Sequence, residues 1–551
     1  MNATSKQLMH FNDTEGINII IWGFGILKLA IHLFTLQGYG FHADELYYIE
    51  LGKSFKWGFL DISPFVSWVA GLSQYLTGNS IISYRLLPSL FSAATVILTG
   101  HITRLFGGKS LAIVIACSAI ICSPAFLATS YLLQPAVFDQ FFWSLSTYSI
   151  LAYSKRGKLL YLYLCAFALG AGMLNKFSIL LLVGSIGCAW ALVSAQLLHF
   201  KFKNLIGPSV LFLLIISPNL CWQWNHGFPV FNYTLMVGKG AYRIEIWDYI
   251  LQLLLFHGAS VAVWSAGFFY LLLDRENHHS GKIWSVSFII TILFLALLKG
   301  KLYYGLGAFP LLFAAGGLCW SMLLEKVATM SKTFFIGSLY LFALLSLPIV
   351  IPFLPMNLCR GYIKGTVRLT GFSRPLRYED GTTGKIPQFF ADMTDWEMLD
   401  QKIKHAARYY PRSKRSSITI LTDSYAVAGA LKYYGENKVF HVISAHNSFL
   451  MDSPETLHMS TVLYLSKEAP SKMLNVASKV ILIDNLKTEN SHLNGIYIYR
   501  LTSPSARFKK KYLQDRLSFY PGTASKGMSK RISYRFQILL QWFWPIKLTE
   551  F

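Results

Sequence analysis

Acidic side chains are scarce in the apolar first two thirds of the chain, yet four of them fall within one short polar segment. The segment FHADELYYIELGKSFKWGFLDISPF carries Asp44, Glu45, Glu50 and Asp61. Asp44 directly follows an apolar run, where partial desolvation and hydrogen bonding can fit a carboxylate to accept a proton. Asp44 is therefore a candidate general base. The simpler alternative is that Asp44 and Glu45 only mark the end of a helix in a polar loop.

Asp139 stands about four residues into a later apolar run, QPAVFDQFFWSLSTYSILAY. A carboxylate in the middle of a transmembrane helix costs about 2.5–3.5 kcal/mol, so such residues are functional by default. Asp139 is the second candidate catalytic acid. The alternative is a polar contact with a neighbouring helix, shared with Gln134 or Gln140.

Basic residues at the ends of apolar runs form a second group. Lysine supplies a point charge to a phosphate, arginine can bind it bidentately, and tyrosine hydroxyls can donate hydrogen bonds. This group predicts an anionic ligand, although each lysine could instead reach towards lipid headgroups. The candidate phosphate-binding residues are Arg243, Lys299, Lys301, Tyr303 and Tyr304, with Lys176 and Lys239 in similar positions.

The sequence contains no recognisable metal-binding or nucleotide-binding motif. The histidines lack HxxxH or HExxH spacing, and the seven cysteines form no CxxC pair. The chain also lacks a Walker or GxSxG pattern in the required context, which counts against an ATP-driven pump and a serine hydrolase. No cofactor is therefore certain, and a divalent metal assembled across loops stays an open alternative.

The elements that must position these residues are apolar helices. Of the 551 residues, 54% are hydrophobic and only 14% are charged, against about 25% charged in soluble domains. A soluble or disordered protein is excluded. Two short interfacial helices are predicted in the first outer loop, one of them over 62–78. About eleven membrane spans are predicted, near 17–37, 85–106, 110–129, 135–153, 158–173, 177–198, 204–222, 248–272, 283–298, 302–324 and 333–353.

Basic residues fall on alternate connections between these spans, and the positive-inside rule assigns such connections to the cytoplasm. The first outer loop, 38–84, the loop 223–247 and everything after residue 352 are then predicted to face outward. Asp44 and Asp139 fall on the same outer face in this topology. The net charge of +23 favours anionic lipid rather than nucleic acid as a partner.

The composition of the chain changes after the last span, where polar and apolar residues are mixed. β-branched apolar segments at 416–423, 438–444, 460–466 and 478–484 predict strands, and 395–410 and 424–434 predict helices between them. We therefore expect a polytopic α-helical membrane domain over 1–353 and a periplasmic α/β domain over 354–503. Residues 504–551 are predicted to form a basic amphipathic tail.

Several blocks of the chain resemble a known class of enzymes. In order, they include DELYYIELGKSFKWGFLDISPFVSWVAGL, LLQPAVFDQFFW, GMLNKFSILLL, SPNLCWQWNHGFP, KGKLYYGLGAFPLLFAAG and DSYAVAGALKYYG. They are similar to the lipid-linked-sugar glycosyltransferases of the GT-C class. Within that class they resemble the bacterial branch of the protein O-mannosyltransferase family, which includes the lipid A aminoarabinose transferases. The resemblance covers roughly residues 20–450.

This resemblance implies the GT-C fold and a multi-pass enzyme of the bacterial inner membrane with its active site facing the periplasm. Such enzymes pass a sugar, with inversion, from a polyprenyl-phosphate carrier to a hydroxyl of lipid A, another envelope glycan or a protein. Asp44 matches the acid of the first outer loop, with Glu45 beside it, and Asp139 matches a second acid. The implied partners are the carrier-linked sugar, the acceptor and membrane lipids.

One departure and two rival interpretations remain. The aminoarabinose branch has a lysine before the proline of the first loop, where this chain has Asp61-Ile62-Ser63-Pro64. The phosphate-binding role would then move to Lys299 or Lys301. A flippase or transporter for lipid-linked sugar would predict inverted repeats and paired discontinuous spans. A noncatalytic envelope-assembly protein would tolerate the loss of Asp44 and Asp139.

Overall fold

The structure is a computed structural model that describes residues 3–193, 202–238, 246–273, 280–410, 418–435, 440–491 and 493–519. The chain divides into two compact units. The helical unit comprises 1–55, 63–217 and 240–394, and the sheet unit comprises 56–62, 218–239 and 395–551. Arg243 and Lys239, both named from the sequence, lie outside the described residues.

The helices of the first 394 residues follow the apolar runs. In chain order they are α1 (Ala3–Leu33), α2 (Ala43–Gly52), α3 (Phe65–Thr77), α4 (Ile81–Leu105), α5 (Ser110–Cys122), α6 (Pro124–Ala128), α7 (Pro135–Arg156), α8 (Leu160–Asn175), α9 (Ile179–Val193), α10 (Phe202–Asn225), α11 (Pro229–Gly238), α12 (Ile246–Leu255), α13 (Val261–Leu273), α14 (Ser280–Leu297), α15 (Phe309–Leu324), α16 (Thr329–Val350), α17 (Met356–Thr370) and α18 (Gln388–Ala391). A 3₁₀ segment, Leu302–Ala308, leads into α15.

Membrane-spanning character is clearest in a subset of these helices. Among the described residues, five helices are long and apolar enough to cross a membrane: Glu15–Leu33, Ile81–Leu105, Lys203–Asn225, Leu302–Leu324 and Thr329–Val350. Four shorter apolar helices lie at Ser110–Cys122, Leu160–Asn175, Ile179–Val193 and Gly281–Leu297. The first loop holds the two short helices α2 and α3, as expected. The total of eleven spans and their orientation remain predictions.

The sequence predicts one continuous span over 248–272, but the structure breaks it. Tyr249–Leu255 and Gly258–Leu273 are bent by 105°. Gly258, at the break, has a φ of +52°, a left-handed conformation that glycine adopts without the steric cost of a Cβ. The segment is therefore a broken span or a re-entrant pair.

The core of the helical unit forms where α15 packs against α5 and α13. Small residues make this approach close, because a Cβ on Gly316 would lie 1.8 Å from the carbonyl oxygen of Val263. A Cβ on Gly317 would lie 2.4 Å from the carbonyl oxygen of Ala112. Packing through small residues is the usual way in which transmembrane helices approach one another.

The sheet unit is a five-stranded α/β fold. Its strands are β1 (Ile418–Thr422), β2 (Phe440–Ser444), β3 (Thr461–Ser466), β4 (Ala477–Asn485) and β5 (Tyr497–Pro504), in the order β2-β1-β3-β5-β4. β1 is parallel to β2 and β3, whereas β5 is antiparallel to β3 and β4. The helices are α19 (Trp396–Ala407), α20 (Tyr425–Tyr434) and α21 (Ala506–Phe519). The α/β domain and its first four strands are thereby confirmed.

Two features of this unit differ from the prediction. β5 is not among the predicted strands, although YIYRLTS has the aromatic and β-branched residues of a strand. The proposed tail also begins later than residue 504, because α21 packs Phe508 and Tyr512 into the core of the sheet. Burying these two aromatic side chains makes α21 part of the domain. Residues 520–551 of the tail lie outside the described residues.

Candidate active site

The start of α2 positions the first two candidate acids. His42 caps the helix: its Nδ1 accepts a hydrogen bond from the backbone N–H of Asp44 at 3.1 Å. The Glu45 carboxylate accepts the backbone N–H of His42 at 2.8 Å, which completes a reciprocal capping arrangement. Asp44 therefore lies in the first turn, where the positive end of the helix dipole favours a negative charge.

Glu45 forms a fully buried ion pair with Arg85 of α4, and both side chains are 0% exposed. Arg85 donates from Nε to Oε1 at 2.9 Å and from Nη2 to Oε2 at 2.5 Å. The backbone N–H of Leu133 donates to Oε1 at 3.0 Å. Burial alone would raise the pKa of Glu45, but Arg85 and the backbone donors bring it below the ordinary value.

Arg85 also fastens the start of the first loop, because it donates to the carbonyl oxygens of Leu36 at 2.6 Å and Gly40 at 2.7 Å. Glu45 and Arg85 together tie this loop, α4 and the segment before α7 to one another. The oxygens of Glu45 are thus occupied by protein donors. The structure gives this predicted catalytic residue the contacts of a positioning residue.

Asp44 differs from its neighbour in being accessible. Its side chain is 29% exposed, against 0% for Glu45. Gln134, from the segment before α7, donates from Nε2 to Oδ2 at 3.2 Å, and His42 Nδ1 lies 3.9 Å from the same oxygen. The carboxylate is therefore held in place by protein groups while its surface can still meet a substrate.

His42 connects this site to a distant part of the helical unit. Its Nε2 lies 3.8 Å from Oδ2 of Asp392, and the backbone N–H of Ala43 donates to the Asp392 carbonyl oxygen at 2.9 Å. Because Nδ1 accepts from the Asp44 amide, the network assigns the proton of a neutral His42 to Nε2, facing Asp392. Sequence reasoning missed Asp392 and Arg85, because neither carries a local motif and only the fold brings them to α2.

Two lysine ammonium groups lie over the rings of Tyr303 and Tyr304. The Lys176 ammonium lies 3.5 Å from the ring centre of Tyr304 and 5.0 Å from that of Tyr303. The Lys301 ammonium lies 6.0 Å from the Tyr303 ring and forms an ion pair with Glu379. We call Lys176, Lys301, Tyr303 and Tyr304 the cation–phenol group. Asp44 is close enough for its charge to act on the Tyr303 hydroxyl, so an acidic side chain lies near this phenol of the group.

Asp139 lies near Lys176 of the cation–phenol group. It is 3% exposed and accepts a hydrogen bond from Ser178 Oγ at 2.9 Å. Its charge and that of Lys176 act on each other, and Asn175 beside Lys176 donates to the Pro135 carbonyl oxygen at 2.9 Å. Burial lowers the pKa of Lys176 below the ordinary lysine value, although Tyr304 and Asp139 act in the opposite sense.

The remaining candidates are placed differently. Lys299 is exposed and has a φ of +53°. It is not a member of the cation–phenol group. Asp61 belongs to the sheet unit, where its Oδ1 accepts from Ser448 Oγ at 2.5 Å. Within the described ranges, no group of three or more His, Cys, Asp or Glu side chains could hold a metal ion. The described residues therefore supply no ligand set for the divalent metal left open by the sequence.

The arrangement of the helices belongs to a known fold class. The chain has the GT-C fold, and residues 61–222 match the family model described as dolichyl-phosphate-mannose-protein mannosyltransferase. The matched segment contains Asp139 and Lys176. The resemblance to GT-C lipid-linked-sugar glycosyltransferases and the predicted fold class are both confirmed.

Two solved structures are similar to this chain over most of its length. The apo crystal structure of ArnT from Cupriavidus metallidurans has a TM-score of 0.60 and 12% identity, and the match covers 89% of this chain and 100% of ArnT. The crystal structure of the same protein bound to undecaprenyl phosphate has a TM-score of 0.58 and 11% identity, covering 92% and 100%. No curated protein sequence matches the chain.

Proposed function

We propose that the protein is a membrane glycosyltransferase that moves a sugar from a polyprenyl-phosphate carrier to an acceptor hydroxyl, with inversion, on the periplasmic side. The observation that carries the proposal is the accessible Asp44 carboxylate, whose charge acts on Tyr303 of the cation–phenol group. An inverting transfer needs these two parts, a base for the acceptor and positive charge for the leaving phosphate.

In the proposed reaction, Asp44 takes the proton of the acceptor hydroxyl as its oxygen attacks the anomeric carbon. The bond between that carbon and the carrier phosphate breaks on the opposite side, and the electron pair leaves with the phosphate. Because the phosphate is already a good leaving group, the step requires no nucleotide. Gln134 orients the base by donating to its carboxylate, and His42 fixes the backbone of Asp44 by accepting its N–H.

Lys176 and Lys301 supply positive charge to the departing phosphate in this scheme, and the hydroxyls of Tyr303 and Tyr304 supply hydrogen-bond donors. Asp139 positions Lys176, which lies within reach of its charge. The crystal structure of ArnT with undecaprenyl phosphate supports a polyprenyl-phosphate carrier for a chain of this fold. Lys299 and Arg243 stay proposed phosphate-binding residues: Lys299 is exposed, and Arg243 lies outside the described residues.

The proposed location is the bacterial inner membrane, and the acceptor is a hydroxyl of lipid A, another envelope glycan or a protein. Helices long and apolar enough to span a membrane support the location. Mass spectrometry of envelope lipids and glycans, with and without the protein, would identify the sugar and acceptor as one missing substituent.

The proposed reaction is tested with purified protein in detergent, supplied with undecaprenyl-phosphate-linked sugars and lipid A. The proposal predicts a glycosylated acceptor, free undecaprenyl phosphate in equal amount, and an inverted anomeric configuration by NMR. Retention of configuration would contradict the direct attack. Movement of the intact lipid-linked sugar across a liposome membrane without transfer would instead establish the flippase.

A further inference from the structure

The sheet unit contains a cavity at the carboxyl edge of its parallel strands. In the strand order β2-β1-β3, β1 lies in the middle, with β2 on one side and β3 on the other. The connection after β1 therefore leads to one side of it, and the connection after β2 leads back to the other side. This reversal is a topological switch point, and open α/β sheets bind ligands in the crevice outside the carboxyl ends of the strands there. The location alone thus favours a binding site.

The cavity has a volume of ≈ 270 Å³. Small-molecule sites usually measure about 300–1,000 Å³, so this one suits a single small molecule and not a dinucleotide. Asp423 follows β1 directly and His446 follows β2, and both side chains line the cavity. Helix α21 closes another wall with Phe508, Lys511 and Asp515.

Asp423 is an acceptor already fixed in place. Its Oδ2 accepts hydrogen bonds from Tyr464 Oη at 2.6 Å and Ser466 Oγ at 2.9 Å, both from β3. The residue is nevertheless exposed where it lines the cavity. A carboxylate that two hydroxyls already orient loses little freedom when it accepts further hydrogen bonds from a ligand.

The charges around the cavity disfavour an anionic ligand. Asp423 and Asp515 line it together with one cation, Lys511, and that ammonium already donates to Glu468 at 2.7 Å. The segment after β1 reads Thr422-Asp423-Ser424-Tyr425, so it lacks glycine and places a carboxylate before the amino end of α20. A phosphate at that helix end would meet repulsion instead of a glycine-rich cradle.

Aromatic and neutral side chains also line the cavity. Phe508 packs edge-to-face on Tyr464 at 5.2 Å between ring centres. Tyr512 lines the cavity beside it. Burial lowers the pKa of His446 to about 4, so its imidazole is uncharged at neutral pH and can exchange a hydrogen bond with a hydroxyl. Carboxylate acceptors beside an aromatic wall fit the hydroxyls and the C–H face of a sugar ring.

We propose that this cavity binds one monosaccharide ring, neutral or amino-substituted, as a carbohydrate site additional to the one at Asp44. Hydroxyl or ammonium groups of the sugar donate to Asp423 and Asp515, and its apolar face packs on the aromatic wall. The inference goes beyond the proposed transferase activity and stands without it, because every residue that carries it belongs to the sheet unit.

The test uses the full chain in detergent with Asp44→Asn, so that turnover at the proposed active site does not contribute. Ligand-observed NMR titrations with methyl glucoside, methyl arabinoside, glucosamine and inorganic phosphate measure each Kd. We expect saturable binding of at least one sugar, and Asp423→Asn should weaken it about tenfold or more, the scale of a hydrogen bond to a charged group. Glu397→Gln, at an exposed position of α19 outside the cavity lining, is the matched control and should leave Kd unchanged.

A second variant separates loss of sugar binding from misfolding of Asp423→Asn. Ala445→Leu adds volume inside the cavity lining and should also abolish sugar binding, with the thermal unfolding midpoint retained. A preference for glucosamine would show that the acidic lining selects an amine, and a preference for the methyl glycosides would show recognition through hydroxyls. Absence of sugar binding, preferential phosphate binding, or sugar binding unchanged by both Asp423→Asn and Ala445→Leu would overturn the proposal.

Discussion

Adjacent residues in the first loop have different surroundings, and this difference decides their chemistry. Asp44 and Glu45 are equivalent in the sequence, where each is a carboxylate after an apolar run. The fold gives Glu45 a buried guanidinium partner and leaves Asp44 partly exposed. The position of an acidic loop could thus be predicted from the sequence. The assignment between its two acids could not, because it depends on Arg85, which only the packing of α4 brings to this point.

Lys176 provides a prediction at the residue scale. Burial lowers its pKa, so it loses its proton at a lower pH than an exposed lysine does. Since only the ammonium form stabilises the leaving phosphate, the transfer rate should fall on the alkaline side through this lowered pKa. Lys176→Arg keeps its charge at every accessible pH and should move the alkaline limb of the pH–rate profile upward.

The control for this measurement is Lys158→Arg, a substitution at an exposed lysine between α7 and α8. It should leave the profile in place. An active Lys176→Arg enzyme whose alkaline limb coincides with that of the unsubstituted protein would contradict the role given to Lys176.

At the scale of elements, the attachment of α2 depends on the Glu45–Arg85 pair. Glu45→Ala leaves a buried guanidinium without its carboxylate, which should destabilise the helical unit by about 3–5 kcal/mol. Lys53→Ala breaks a more exposed pair with Glu50 on the same helix and should cost about 0–1 kcal/mol. Thermal or denaturant unfolding in detergent compares the two variants, and equal costs would contradict the anchoring role.

The same pair has a defined pH dependence. Because the folded pKa of Glu45 is below the ordinary value of 4.5, its contribution to stability is complete above about pH 4.5. That contribution is lost as the pH falls through the lower folded pKa. The difference in unfolding free energy between Glu45→Ala and the unsubstituted protein should therefore shrink only in acid.

The bend between α12 and α13 gives a second prediction for an element. Gly258 has a φ of +52°, and a Cβ there would lie 2.0 Å from Cε1 of Phe342. Gly258→Ala should therefore destabilise the protein by at least about 1–2 kcal/mol, the cost of a left-handed alanine before any clash. Gly337→Ala, in open space within α16, should instead stabilise by about 0.5–1 kcal/mol. A Gly258→Ala variant as stable as Gly337→Ala would show that the bend is absent.

Elements with strong periodic or apolar patterns could be predicted from the sequence. The bend between α12 and α13 and the last strand, β5, could not. The first four strands and both flanking helices, α19 and α20, lie where their patterns predict them. The break in 248–272 depends on the conformation of one glycine inside an apolar run. β5 depends on pairing with β3 and β4, and its short alternating pattern is not distinctive by itself.

At the scale of the whole molecule, the orientation in the membrane remains a prediction that labelling can test. Lys53 lies in the predicted first outer loop and Lys158 in a predicted cytoplasmic connection, and both are exposed. In a chain with the exposed Cys188 and Cys221 changed to serine, Lys53→Cys should react with a membrane-impermeant maleimide in intact spheroplasts. Lys158→Cys should react only after permeabilisation. The reverse pattern would place the Asp44 site on the cytoplasmic side.

The whole account depends on Asp44 as the group that accepts the acceptor's proton. The direct measurement is the rate of sugar transfer at saturating donor by Asp44→Asn, compared with Glu50→Gln, which removes a charge from the same helix. A general base contributes about 10²–10⁴-fold, so Asp44→Asn should slow transfer by at least about a hundredfold, while Glu50→Gln stays near the unsubstituted rate. A folded Asp44→Asn protein that transfers sugar at the unsubstituted rate would contradict the mechanism.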